Sequence, residues 1–141
     1  MYTRQAKNML ALQILDVLRK HSDADHRLSQ QDIKGLLETE HQVRADRGTI
    51  RRNLFNLVDY GYDLEWTEIV RRNKEGEEFN ICTDWYLLRM FDDSQLRLLI
   101  DSIFFSRYIP RGASKELIDK LLSLGSRHFK AGVSSMRSLQ E

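Results

Sequence analysis

The run Arg47-Gly48-Thr49-Ile50-Arg51-Arg52-Asn53-Leu54-Phe55-Asn56 holds the side chains best suited to chemistry, and that chemistry is recognition rather than bond-making. Arginine can pair bidentately with guanine and asparagine with adenine, while threonine can touch a phosphate or a thymine methyl. On a helix, Ile50, Leu54, Leu57 and Val58 fall at i, i+4, i+7 and i+8 and turn inward together. Gly48, Arg52 and Asn56 then point most nearly outward, with Thr49 beside them and Arg51 and Asn53 on opposite flanks. The expected contacts to duplex DNA are Arg47, Thr49, Arg52 and Asn56, with Arg51 on the backbone and Gly48 permitting close approach. The free N–H groups of the first turn can also hold a phosphate, although the Asp46 carboxylate competes for that position.

A second basic group, Arg71, Arg72 and Lys74, falls in a polar, turn-rich stretch and could reach a flanking phosphate or the minor groove. Glu75, Glu77 and Glu78 dilute its field, and a solvated turn accounts for it equally well. No catalytic arrangement is expected: the sequence has no phosphate-cradling glycine loop, no HExxH and no cysteine cluster. No metal site and no cofactor are expected either. His21 and His26 flank Asp23 and Asp25, which the sequence presents as a flexible loop of solvated charges rather than ligands. The lone Cys82 cannot form an internal disulfide, and it lacks a basic neighbour that would activate it.

The elements that must position these residues follow from periodicity. Ala6, Leu10, Ile14, Val17 and Leu18 predict a first helix from about Thr3 to His21. Ser29 caps a second, with Asp32 three residues on completing a capping-box pattern, and Ile33, Leu36 and Leu37 form its buried stripe. Gly35 inside that helix reads as a site of close helix packing. Asp46 caps the third helix, which runs to about Tyr60 and stops at Gly61. Leu64 and Trp66, then Phe79, Ile81, Thr83, Trp85 and Leu87, alternate as strand residues around a turn at 71–76, the pattern of a two-stranded hairpin or wing.

Asp92 and Gln95 repeat the capping box, and Leu96, Leu99, Ile100, Ile103 and Phe104 carry a fourth helix to about Tyr108, stopped by Pro110. A last helix, about Ser114 to Phe129, aligns Leu117, Ile118, Leu121 and Leu122, and the tail from Lys130 reads as a linker or frayed end. The expected fold is mainly α (α+β): a winged helix-turn-helix over 1–90, a helical extension over 91–130 and a tail over 131–141. Phe104, Phe105, Tyr108, Leu117 and Leu121 offer more apolar surface than a three-helix head needs. A homodimer formed through them would place two reading helices on one pseudo-palindromic site.

Composition sets the bounds. The chain has 141 residues and a net charge of +1, with no apolar run near the ~18 residues that span a bilayer and no signal-peptide pattern, so a cytoplasmic protein is expected. The charge is unevenly placed: 22–40 hold Asp23, Asp25, Asp32, Glu38 and Glu40 against Arg27 and Lys34, whereas 44–53 hold Arg44, Arg47, Arg51 and Arg52 against Asp46. One face can be basic on a nearly neutral molecule.

Arg47-Gly48-Thr49-Ile50-Arg51-Arg52-Asn53-Leu54, followed by Leu57-Val58-Asp59-Tyr60-Gly61-Tyr62-Asp63, resembles the N-terminal winged-helix region of bacterial WYL-domain transcriptional regulators. Thr83-Asp84-Trp85-Tyr86-Leu87 and Phe91-Asp92-Asp93-Ser94-Gln95-Leu96-Arg97-Leu98-Leu99-Ile100 look like the segment joining wing to connector helices there, so the likeness covers most of the chain. The resemblance implies a sequence-specific regulator of transcription whose effector ligand is bound by a further domain absent from this chain. The Trp85-Tyr86-Leu87 tripeptide lies on the expected wing strand, and no ligand role transfers to it. Two other readings stand beside this one. The first is a winged-helix protein-interaction module without specific DNA binding; the second is the DNA-delivering part of an enzyme such as a nuclease.

Overall fold

The computed structural model describes residues 9–140, with side chains through Ser134. Among these residues the chain is α+β, with six helices and a two-stranded antiparallel hairpin. The order is α1 (Leu10–His21), α2 (Gln30–His41), α3 (Arg47–Tyr60), β1 (Leu64–Arg72), β2 (Glu78–Leu87), α4 (Asp93–Phe104), α5 (Arg111–Leu122) and α6 (Arg127–Gln140). It divides into two compact units between Leu88 and Arg89. The expected start of the first helix, Thr3 to Asn8, lies outside the described residues.

In the first unit α2 and α3 each open on a side-chain cap. The Asp32 N–H donates to Ser29 Oγ and the Ser29 N–H donates to Asp32 Oδ2, both at 3.0 Å, so two orphan donors are satisfied at once. Gly61 ends α3 at φ 124°, a value disfavoured for residues with a Cβ. Leu10, Ile14, Leu15, Val17 and Leu18 of α1 pack against Ile33 and Leu37 of α2 and Ile50, Leu54 and Leu57 of α3. Leu64, Cys82, Trp85 and Leu87 close that core from the hairpin.

Three expectations need correction here. Gly35 is exposed, and a Cβ built on it meets no atom within 4 Å, so it serves no close packing; it lies on the outward face of α2. The buried residues of β2 are Cys82, Trp85 and Leu87, while Phe79 is exposed and Ile81 and Thr83 are half-buried. The cause is a bulge: Glu65 faces Tyr86 and Thr67 faces Thr83, so Trp66 is opposed by two residues. Asp84 takes φ 56° there, which turns Trp85 into the core. The 23–26 segment is a closed turn, not a loop of solvated charges. Asp23 is buried, and its Oδ1 accepts from the Asp25 and His26 N–H groups and from His26 Nδ1.

The second unit also departs from the periodic reading. The Gln95 N–H donates to Asp92 Oδ1 at 2.8 Å and the Asp92 N–H to Gln95 Oε1 at 3.0 Å, so α4 opens as expected, but it ends at Phe104, before Tyr108. Pro110 is the N-cap of α5 rather than the stop of α4. The single helix expected over 114–129 is two, broken at 123–126, and the tail is helical as α6. At the break, a Cβ on Gly125 would stand 2.5 Å from the Phe129 ring, so only glycine lets Phe129 fold back. Leu96, Ile100, Ile118, Phe129 and Val133 are buried together, with Leu121 and Leu122 half-buried against them.

Candidate nucleic-acid interface

Ile50 and Leu54 are fully buried and Leu57 nearly so, and this fixes the rotation of α3. Arg47, Gly48, Arg51, Arg52 and Asn56 are all exposed, as the helical arithmetic expects. Thr49 is half-buried: its N–H donates to Asp46 Oδ1 at 2.7 Å and its carbonyl accepts from Asn53 Nδ2 at 2.9 Å. The first turn of α3 is therefore closed by its own cap. The Asp46 carboxyl is held below its ordinary value mainly by the Thr49 N–H, with Arg52 and Lys34 adding favourable charge. A depressed folded value means that the cap contributes fully above the unfolded value of 3.8 and is lost as pH falls through the folded one.

Two features of this face are not visible in local spacing. Arg47 Nη2 donates to Gln31 Oε1 at 2.9 Å, which draws the N-terminal turns of α2 and α3 together and adds exposed Gln31 to the surface. The Arg51 guanidinium lies 5.7 Å from the Phe55 ring centroid. Phe55 in turn meets Trp66 and Trp85 edge-on at 5.3 and 5.4 Å, and the two indoles stack at 5.0 Å. The hairpin is thus clamped to α3 by an aromatic block. The i, i+4 spacing of Arg51 and Phe55 was the available sequence signal.

A further tie runs from the segment before α2. Leu28 and Trp85 exchange both backbone hydrogen bonds, at 2.8 and 2.7 Å, a single-residue strand pairing that has no periodicity to betray it. At the far end of the hairpin, Arg71 and Arg72 belong to β1 and only Lys74 sits in the turn. All three are exposed, but Arg72 Nη2 is 3.1 Å from Glu78 Oε1 across the strands, so part of its charge is answered locally. Asn73 Oδ1 accepts from the Glu75 and Glu77 N–H groups and shapes the turn.

Of the residues expected at a dimer contact, Phe104, Phe105, Tyr108 and Leu117 are exposed in the second unit, Tyr108 at 97% and Phe105 at 71%. Leu121 is instead half-buried against that unit's core. Among the described residues no helix is long and apolar enough to cross a membrane. The chain matches no family model, no curated protein and no solved structure.

Proposed function

We propose that this chain is a winged helix-turn-helix protein that binds double-stranded DNA in a sequence-specific way and regulates transcription in the bacterial cytoplasm. The observation that carries the reading is the outward face of α3, where Arg47, Gly48, Arg51, Arg52 and Asn56 stand exposed on a helix held by Ile50 and Leu54. Guanidinium and carboxamide groups on one face of a short third helix match base edges of the major groove. The hairpin serves as the wing, with Arg71, Arg72 and Lys74 toward flanking phosphates. The resemblance to WYL-domain regulators supports the same assignment. A homodimer, formed by a second copy over Phe104, Phe105, Tyr108 and Leu117, would present two such helices to a two-fold site; a monomer in sedimentation at high concentration removes that part.

The test is selection of bound sequences from random duplexes, followed by Arg52→Ala. The variant is expected to lose about 1–3 kcal/mol of specific binding and to relax preference at one base position. Failure to enrich any sequence overturns the reading. The exposed Ile69, Val70 and Phe79 of the hairpin favour a second reading, a protein-docking module. DNA binding through phosphates falls steeply as salt rises, whereas docking on an apolar surface does not.

A further inference from the structure

The C-terminal halves of α1 and α2 bring together two histidines and two carboxylates that the DNA-binding reading does not use. They lie at the opposite end of α2 from Gln31, where Arg47 is held. His41 Nε2 is 3.0 Å from Asp16 Oδ2, and a Glu40 carboxylate oxygen joins them, with the three ligand atoms all within 4.8 Å of one another. A tetrahedral ion bound at about 2.0–2.2 Å holds its ligand atoms roughly 3.4 Å apart, so small side-chain movements would close this set around one.

Three observations say that the cluster suits a cation. The negative end of the α2 dipole lies there, since Glu40 and His41 are the last two residues of that helix. The Lys20 ammonium already sits 3.1 Å from Asp16 Oδ2, in an exposed pair of the kind that contributes little to stability. The third is His21, only 7% exposed, whose Nε2 is 2.5 Å from Glu40 Oε1. Its Nδ1 is buried with no partner. An unpaired buried N–H costs more than a bare lone pair in apolar surroundings, so the ring proton belongs on Nε2, which donates to Glu40 and fixes its direction. A hydrogen bond to a ligating carboxylate from an outer residue is the usual support of a metal centre.

We propose that Asp16, Glu40 and His41 form a binding site for a divalent first-row transition ion of the Zn²⁺ type, with His21 as the positioning residue for Glu40 and solvent completing the coordination. One imidazole with two carboxylates suits such ions better than Ca²⁺ or Mg²⁺, which take oxygen ligands. The bound ion links α1 to α2 immediately before 42–45, the turn that delivers Asp46 and α3, so occupancy stabilises the first unit where the reading helix begins.

The test is calorimetric titration of the whole chain with Zn²⁺, with Mg²⁺ as the contrast and tryptophan-monitored melting alongside. One equivalent of Zn²⁺ is expected to bind and to raise the melting temperature, and Mg²⁺ is not. Asp16→Asn and His41→Gln should each weaken binding by at least about tenfold, and His21→Gln by about tenfold through Glu40 alone. Melting in chelator shows whether these variants fold. Lys20→Met changes only an exposed competitor and should tighten Zn²⁺ binding. Absence of saturable Zn²⁺ binding, binding that survives both ligand substitutions, or a Lys20→Met chain that binds no more tightly than the parent each overturns the site.

Discussion

In residues 9–88 the buried faces of α1, α2 and α3 meet under a hairpin that delivers Trp85, Cys82 and Leu87 onto them; in 89–140 the helices bury only Leu96, Ile100, Ile118, Phe129 and Val133 among the described apolar residues, and both units leave large apolar side chains exposed, Tyr60 and Val70 in the first and Phe105 and Tyr108 in the second. The local helix signals are equally good in both units. Ser29 with Asp32 and Asp92 with Gln95 form the same reciprocal cap. What differs is closure. A cap decides where a helix starts, but a core is sealed only by residues arriving from far along the chain, and in the first unit those are the indoles.

Three substitutions would break or sharpen this contrast. The largest effect is expected from Trp85→Ala, which removes a fully buried ring stacked on Trp66 and should cost about 3–5 kcal/mol in denaturant unfolding of the first unit. A loss under about 1 kcal/mol would mean that the aromatic clamp is not what seals that core. Next, Ile118→Ala should destabilise the second unit by about 2–4 kcal/mol. Trp66 and Trp85 are the chain's two tryptophans and both lie in the first unit, so helical circular dichroism should melt earlier while tryptophan emission keeps its midpoint. A shared shift would show that the units unfold as one. The smallest is Gly35→Ala, which fills open space on an exposed helix face and should stabilise the first unit by about 0.5–1 kcal/mol. A loss there would expose a contact that the free surface of α2 does not reveal.

Legibility in the sequence followed the distance over which each feature is decided. The caps at Ser29, Asp46 and Asp92 and the stop at Gly61 are settled within four residues, and all were readable. The rotation of α3 was readable too, because Ile50, Leu54 and Leu57 need only a helical period to define an inside. Features set by a distant partner were not. The bulge at Asp84 depends on Trp66 across the ladder, and the Leu28–Trp85 pairing has only one residue on each side. The break between α5 and α6 depends on the Phe129 ring folding over Gly125, while the apolar spacing runs straight through it. Asp16 stands on α1 and Glu40 and His41 on α2, so no local spacing joins the three. Gln31 and Phe55 are ordinary helix residues until Arg47 and the two tryptophans are placed beside them.

The chain's single thiol has a further use that follows from its position. Cys82 is 3% exposed, and its carbonyl accepts from Trp85 Nε1 at 3.3 Å and Gln30 Nε2 at 3.4 Å, which holds β2 there against the start of α2. A reagent reaches the sulfur only when the core of the first unit opens. Alkylation of Cys82 is therefore an internal clock whose rate follows the opening of the core that buries it.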